Sequence, residues 1–561
     1  MKLRSGREVW GAAGYVERGH WANKTLAQYL DEHVATQFDS VAIVSEHLET
    51  GKRDVLSFGQ YGRAVDRIAG GLLELGVGPG DVVAVQLPNW WQLCATAIAA
   101  ARIGVVISPL IPIYREREVR YILEATQAKV FVVPETFRGF SHRDLAVKCK
   151  ADCSTLQHVF TVGGDAGDGV ESFDDYFMAA DWERVHAERL RESVVDPDDA
   201  YQIMFTSGTT GAPKGVVHSH NTLVAASQGV QHLWPVTREP GHPIYMASTL
   251  GHQTAFAVGL AGSVVRGQKL VLQDVFQPKD MLRSAEEEGW SWTIAATPFL
   301  LGIVDAASTS AYDLSSVDFI MCGGAPVPAH LAEQLKDSLG CVPANGYGMT
   351  ETGSSTHTVA ADPIERVART VGRPVAGLEV RVVDGDGQAL PPNQEGALQM
   401  RGPNVAIDYF PDHALYESVV HDGWLDSGDL AVIDDDGYVA IAGRAKDIIM
   451  RGGENIPCVD VENLLYRHPA VALVAVVAMP DERLGERACA YVVVKPDATF
   501  TFEDMTRYLA DQGLTKHYFP ERLELRDELP VTAAGKIQKF KLREDIAGLV
   551  GGPPATTESK T

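Results

Sequence analysis

The sequence predicts an α/β protein whose parallel sheets are covered by helices on both faces, with a smaller α+β unit behind them. Three observations predict it. Helical and strand patterns alternate from Leu26 to about residue 190, and strands separated by helices pair in parallel and bury both faces. Apolar, strand-like pieces run straight into glycine-rich turns, as at Tyr201–Gly208 and Phe319–Gly324. The chain of 561 residues exceeds one ordinary core and corresponds to roughly three or four packed units.

The elements follow in order. Arg63–Leu75 is amphipathic and reads as a helix, Asp81–Gln86 as a short β-branched strand, and Trp91–Ile103 as a helix rich in small residues. Val105–Ser108 is strand-like, Glu116–Thr126 helical and Lys129–Val133 a strand. Tyr201–Phe205 is a strand, and Asn221-Thr222-Leu223 can cap and start a helix. Phe319–Cys322 is a strand, and Asn345–Glu351 follows a second short one. Asp434–Gly437 reads as a solvated hairpin turn without EF-hand spacing. Gly443–Asp447 divides the large region from the smaller one. The smaller unit runs helix (Asp460–Tyr466), strand (Val471–Ala478), strand (Ala488–Lys495), helix (Phe502–Gln512), and Gly551–Thr561 reads as a frayed tail.

Composition removes several function classes. Lys+Arg 49 against Asp+Glu 74 gives a net charge of −25, which disfavours non-specific binding to nucleic acid or anionic membranes. A polyanionic substrate must then be met by local positive groups. The seven cysteines are scattered, only Cys149 and Cys153 lie close, and no second pair completes a zinc site. A reduced cytoplasm fits them. The N-terminal MKLRSGREVW has no apolar h-region. Ala95–Pro112 is broken by Arg102, Gly104 and Pro109, so it reads as a buried helix and strand rather than a transmembrane segment. Ser559-Lys560-Thr561 differs from a peroxisomal S-K-L address at its last residue.

The densest motif is Phe205–His220, FTSGTTGAPKGVVHSH. Its glycines allow positive φ and close backbone approach. Its hydroxyls add donors, and Lys214 adds charge, so the stretch makes a nest for phosphate oxygens. It is not a Walker A loop, because Pro213 stands five residues after Gly208 and Gly215 follows Lys214. Neither Gly76-Val77-Gly78 nor Gly346-Tyr347-Gly348 completes a dinucleotide fingerprint.

Further along, Gly323-Gly324-Ala325-Pro326 and Asn345–Glu351 each look like a common turn taken singly. As a pair they suit a purine: Tyr347 can stack on it, and the Asn345 amide offers donor and acceptor to its edge. Thr350 can donate to phosphate, and Glu351 can hold Mg²⁺, a hard cation that prefers carboxylate and phosphate oxygens. Asp422–Asp429 places carboxylates behind a tight turn; an Asx-type turn explains Asp426 equally well.

These motifs, in this order over roughly Thr25 to Arg543, resemble the adenylate-forming superfamily of acyl-CoA synthetases, aryl-CoA ligases, peptide-synthetase adenylation domains and luciferases. The resemblance implies an N-terminal domain (1–443) of doubly wound sheets with a small β-barrel-like part, a hinge (444–447), a mobile α+β C-terminal lid (448–550) and a tail (551–561). It assigns Thr206, Ser207, Gly208, Thr209, Thr210, Gly211 and Lys214 to the phosphates of ATP. Gly323, Gly324, Ala325, Asn345, Gly346, Tyr347 and Gly348 go to the adenine, and Glu351 with Thr210 to Mg²⁺. Asp429 takes the ribose hydroxyls, and Arg444 the ribose and phosphate side. Lys446 falls at the hinge, and Gly452 and Gly453 line a pantetheine tunnel for coenzyme A. Lys536 is the catalytic lysine, with Thr350 and Glu351 beside it in the chemistry; Lys539 is a weaker competitor.

The Ser248–Ser263 stretch and Thr297-Pro298 resemble the acyl-pocket wall. His252 either gates the thiol tunnel or is a core histidine, and the two readings stand level. No Asp lies between Tyr245 and Lys269 to hold an ammonium, and an unpaired buried charge is costly, so an uncharged acyl tail is implied. The resulting expectation is an ATP-dependent carboxylate–CoA ligase acting through an acyl-adenylate on a medium-sized, mainly apolar acid. The alternatives are loading of a carrier protein in trans and a luciferase-like oxygenase. ATP, Mg²⁺, CoA and a small-molecule carboxylic acid are the implied ligands, and a homodimer is compatible with them.

Overall fold

The computed structural model describes residues 12–206, 213–233, 242–246, 248–309, 311–323, 327, 329–444, 449–451, 454–456, 458–481, 485–514, 516–531 and 537–551. Two large sheets carry the first four hundred or so residues. The first has nine strands, and Phe319–Gly323 pairs in parallel with both Trp292–Ala295 and Val342–Met349. Beyond Trp292–Ala295 come Ile244–Met246, Leu270–Gln273 and Val41–His47, each parallel to the one before it, and then the antiparallel edge strand Lys52–Ser57. The second sheet has eight strands. Its parallel part (Val82–Val85, Val106–Pro109, Val130–Pro134, His158–Val162 and Ala200–Thr206) is continued by Lys214–Ser219 and Asp408–Phe410, each antiparallel to the strand before it.

The two sheets share one helical layer. On Phe319–Gly323, Phe319 and Met321 face that layer while Ile320 and Cys322 face the opposite side, as the two-residue strand period dictates. The shared layer contains Phe58–Glu74, Trp91–Arg102, His220–Leu233 and the π-helix Thr254–Ala261. It is why Trp91–Arg102 is rich in alanine: Ala95, Ala97, Ala99, Ala100 and Ala101 are all buried, since the helix is enclosed all round. Helices Glu116–Thr126 and His142–Asp152 cover the outer face of the eight-stranded sheet. Pro278–Glu288, Thr297–Ser308 and Ala329–Leu339 cover that of the nine-stranded sheet. The α/β class with sheets covered on both faces is therefore as the sequence predicts.

The barrel-like part is a five-stranded antiparallel sheet that includes Glu395–Arg401, Trp424–Ile433 and Val439–Arg444. The C-terminal unit holds a sheet around the long hairpin Val471–Asp481 and Gly485–Val494. Helices Cys458–Tyr466 and Phe502–Asp511 pack on one face and Lys539–Gly551 on the other. This hairpin extends past the predicted ends at Ala478 and Ala488, because ladder pairs continue through Met479↔Arg487 and Asp481↔Gly485. No helix among the described residues is long and apolar enough to cross a membrane.

Candidate active site

Parallel strands deliver their carboxyl ends to one edge of a sheet, and in open α/β folds ligands collect there. Four adjacent strands of the nine-stranded sheet do so here, in the order Val342–Met349, Phe319–Gly323, Trp292–Ala295, Ile244–Met246. Their ends carry Thr350 and Glu351, then Gly323, then Thr297, then the turn leading to His252. Neighbouring strands lie ~4.8 Å apart, so this edge spans about 14 Å. The purine motif thus lies at one end and the acyl-pocket stretch at the other.

The phosphate motif is a hairpin. Thr206 closes one strand, Lys214 opens the next, and the two are ladder partners. The helix His220–Leu233 starts one residue before the predicted cap, with Ser219 and Thr222 bonding reciprocally: the Thr222 N–H donates to Ser219 Oγ, and the Ser219 N–H to Thr222 Oγ1. Ser207, Gly208, Thr209, Thr210 and Gly211 lie outside the described residues, as do Gly324, Ala325, Lys446, Gly452, Gly453, Lys536 and the tail from 552.

Glu351 is the centre of the arrangement. It is 4% exposed, and its Oε1 takes two donors: Lys214 Nζ at 2.8 Å and the Tyr409 hydroxyl at 2.7 Å. The Lys214 ammonium also lies 3.8 Å from the centroid of the Tyr409 ring, where the ring face attracts cations. Tyr409 arrives from the edge strand Asp408–Phe410, paired opposite Val216. Burial, with the Glu351 charge beside it, pushes its phenol well above the ordinary range, so the hydroxyl is a proton donor.

The backbone around Glu351 is fixed too. The Ala406 N–H donates to Glu351 O at 2.7 Å, and Asn404 Nδ2 donates to the carbonyls of Thr352 and Ser354. His218 Nε2 sits 2.8 Å from Thr350 O and Nδ1 sits 3.1 Å from Thr222 Oγ1. Burial pushes the His218 imidazole down to about 4, so it is neutral. A carbonyl only accepts, so Nε2 donates to Thr350 O and Nδ1 accepts from Thr222. Tyr409, His218 and Asn404 were not singled out from the sequence.

A hard cation fits this donor set. Glu351 Oε2 makes no hydrogen bond among the described residues, and those residues hold no group of three or more His, Cys, Asp or Glu that could bind a metal by itself. Mg²⁺ is met by one or two carboxylates plus substrate phosphates rather than by such a cage.

Three expectations need correcting in their physical reason. Asn345 was read as giving both donor and acceptor to a purine edge. Its Nδ2 instead donates to the carbonyls of Val367 and Thr370 at 3.1 and 2.9 Å, leaving Oδ1 buried and unbonded among the described residues. It therefore presents an acceptor only. The sequence presents Gly346 and Gly348 as bare backbone for a purine, within an Asn345–Glu351 stretch that looks like a turn. Both glycines lie within the strand Val342–Met349, beside a bulge at Tyr347/Gly348. A Cβ on Gly348 would meet Gly353 O at 2.0 Å, and one on Gly346 would meet Met321 Sδ at 3.1 Å and Thr356 O at 3.2 Å. They are glycine first of all because the chain's own hairpin crowds them. Asp429 was placed behind a tight turn. It lies inside the strand Trp424–Ile433 and is the ladder partner of Arg444.

The structure brings Asp429 to the purine motif as expected: the Tyr347 hydroxyl donates to its Oδ2. At the other end of the edge, Asn89 fixes the turn before His252. Its Nδ2 donates to Ser248 O at 3.0 Å and its Oδ1 accepts from the Leu250 N–H at 2.8 Å. His252 Nε2 is enclosed without a hydrogen-bond partner among the described residues, and burial pushes the imidazole down to about 4. The π-helix Thr254–Ala261 that follows is buried and apolar from Ala255 to Ala261. Thr297 Oγ1 lies 3.4 Å from Cys322 Sγ. Of the two candidate lysines, Lys539 is engaged elsewhere: its Nζ lies 2.7 Å from Glu462 Oε1, a buried carboxylate that also accepts from the Val476 N–H.

A glycine-rich hairpin, a fixed carboxylate and a tyrosine–carboxylate pair gathered at the strand ends of a parallel sheet suit an α/β enzyme that uses a nucleotide. A family model described as AMP-binding enzyme matches residues 30–410, and one described as AMP-binding enzyme C-terminal domain matches residues 460–536. The medium-chain fatty-acid–CoA ligase of Escherichia coli (strain K12) is 34% identical over 541 residues, covering 95% of this chain and 92% of that protein. The 2,3-dihydroxybenzoate-AMP ligase of Bacillus subtilis (strain 168) is 30% identical over 541 residues, covering 96% of each. In fold, the chain resembles the anthranilate CoA ligase AuaEII in complex with anthranoyl-AMP, with a TM-score of 0.84 at 22% identity, over 94% of this chain and 98% of that one. The chain belongs to the AMP-binding enzyme family, the adenylate-forming enzymes that include acyl-CoA ligases and aryl-AMP ligases.

Proposed function

We propose that the protein is an ATP-dependent carboxylate–CoA ligase that works through an acyl-adenylate on a medium-sized, mainly apolar acid. The observation that carries this reading is the shared edge. Glu351, Lys214 and Asp429 gather at its nucleotide end, and the apolar Thr254–Ala261 helix lies at the other with no Asp between Tyr245 and Lys269.

A carboxylate is a poor acyl donor because oxide would have to leave. In the first half-reaction a carboxylate oxygen attacks the ATP α-phosphorus; the new P–O bond forms as the α–β bridge breaks and pyrophosphate departs. In the second, the CoA sulfur attacks the acyl carbon and AMP leaves. The hairpin residues Thr206–Lys214 hold the outgoing phosphates, Tyr347 stacks on the adenine, Asn345 Oδ1 accepts from its amino group, and Asp429 takes the ribose hydroxyls. Glu351 and Thr210 would hold Mg²⁺, which when bound would neutralise phosphate charge. Lys536 joins the carboxylate and α-phosphate, two anions that otherwise repel. The C-terminal unit then rotates about Lys446, withdrawing Lys536 and presenting Gly452 and Gly453 to the thiol. A reduced cytoplasm suits an enzyme with seven free, buried cysteines.

Lys536→Ala tests the two-step reading. Adenylation is expected to fall at least 100-fold, on the order of 2.7 kcal/mol or more, while thioester formation from pre-made acyl-adenylate stays within a few-fold. Equal loss of both half-reactions would contradict it. A second reading, loading of a carrier protein in trans, is favoured by the aryl-AMP ligase relative; comparing CoA with a phosphopantetheinylated carrier as acceptor separates the two.

A further inference from the structure

The contact that neither the motifs nor the family assignment calls for is the one made by Tyr409. It lies 58 residues beyond Glu351 in sequence, on a three-residue edge strand, yet it touches both charged members of the phosphate site. Its hydroxyl donates to Glu351 Oε1, and its ring lies beneath the Lys214 ammonium. The ring is anchored independently of either: it packs edge-on against Tyr416, with centroids 5.5 Å apart, and Val216 lies opposite it in the ladder.

We propose that Tyr409 is a positioning residue for the nucleotide half of the reaction. Its hydroxyl holds one oxygen of Glu351 so that the other is left for the metal, and its ring seats Lys214 between Glu351 and the phosphates. The inference rests on the ligase reading above.

The chemistry requires some such device. Lys214 has one ammonium and two claimants, Glu351 and the incoming phosphates. If the lysine swings to phosphate, Glu351 Oε1 loses one of its two donors in a nearly dry site, and an under-satisfied buried carboxylate oxygen seeks a new partner. A second, neutral donor on a rigid ring keeps Oε1 satisfied throughout, so the carboxylate does not turn. The ring face lowers the barrier on the lysine's side, since the ammonium keeps a favourable contact while it exchanges partners. Tyrosine supplies both functions; phenylalanine supplies only the seat.

The test compares Tyr409→Phe with Tyr416→Phe. The Tyr416 hydroxyl donates to Ala406 O at 2.7 Å and does not bond Glu351, so it controls for loss of a neighbouring buried hydroxyl. Four quantities are read: the Mg²⁺ concentration for half-maximal pyrophosphate release at fixed ATP, the acid KM, the melting temperature, and Mn²⁺ binding to enzyme plus a non-hydrolysable ATP analogue by the loss of the free-ion EPR signal. Tyr409→Phe is expected to raise the Mg²⁺ half-saturation and weaken Mn²⁺ binding roughly tenfold, with acid KM within twofold. Tyr416→Phe is expected to lower the melting temperature while leaving both metal readouts at wild-type values. The proposal is overturned if Tyr409→Phe leaves both metal readouts unchanged, or if Tyr416→Phe moves them as far. The Mn²⁺ readout needs no turnover, so it reports on Tyr409 even if no acid supports pyrophosphate release, the result that would defeat the ligase reading instead.

Discussion

At the scale of single residues, the most informative lysine is Lys539, which is held by an ion pair. Lys539 was a competitor for the catalytic role because it follows a glycine turn by a few residues, and sequence alone leaves it open. Its ion pair with the buried Glu462 ties the start of the last helix to Cys458–Tyr466. Breaking such a pair strands a buried carboxylate, which costs about 3–5 kcal/mol where burial is complete and less here, since Lys539 is 20% exposed. Lys539→Ala is therefore expected to lower the urea midpoint of the C-terminal unit while leaving adenylation per folded enzyme within twofold. A fall in adenylation matching that of Lys536→Ala, without loss of stability, would reverse the two assignments. Asp429 and Glu351 were legible as residues because their motifs are local. Their partners were not: Tyr347 and Asp429 meet across 82 residues, and Tyr409 and Glu351 across 58. No periodicity reports a contact set by how two sheets are placed.

At the scale of elements, patterns long enough to show a period located their helices, although Phe58–Glu74 begins five residues before the predicted Arg63. Glu116–Thr126 is a helix over those residues, and Trp91–Arg102 ends one residue before the predicted limit. The short or glycine-bearing pieces were harder. Asn345–Met349 looks like a turn because Gly346 and Gly348 have low strand propensity, but the ladder to Gly353–His357 holds it extended. The Thr254–Ala261 segment is apolar on all sides, so its π-helical winding left no trace in the sequence. The turn that leads to it depends on Asn89, which is 4% exposed and spends its side chain on Ser248 and Leu250. Asn89→Ala leaves two buried backbone groups unpaired, at about 1–3 kcal/mol each. The expected outcome is a lower denaturant midpoint and an acid KM raised several-fold with the ATP KM within twofold. Equal changes in both KM values would mean that the turn serves the whole crevice rather than its acyl end.

At the scale of the whole molecule, buried histidines on both faces of the eight-stranded sheet make stability depend on pH. His142 and His218 are pushed down to about 4 by burial, and His220 to about 3, against an ordinary value near 6.5. Below pH 6.5 the unfolded chain takes up protons that the folded chain refuses. The stabilisation from keeping these imidazoles neutral is thus complete above about pH 6.5 and is lost as pH falls toward 4, at ~1.4 kcal/mol per pH unit for each. Urea unfolding at pH 7 and pH 5 should show the loss. His220→Phe, which keeps the stack on Tyr201 at 4.2 Å, should flatten it; an unchanged slope would place the titration elsewhere.

In the proposed reaction, one edge of one sheet would serve both the nucleotide and the acyl group. The most direct measurement is pyrophosphate release from ATP over a panel of aliphatic, alicyclic and aryl carboxylic acids, each with and without CoA, with acyl-CoA measured alongside. The expected result is that medium-sized apolar acids give at most about one pyrophosphate per enzyme without CoA and sustained turnover with stoichiometric acyl-CoA when it is present. Sustained turnover indifferent to CoA, or none with any acid of the panel, would contradict the ligase assignment.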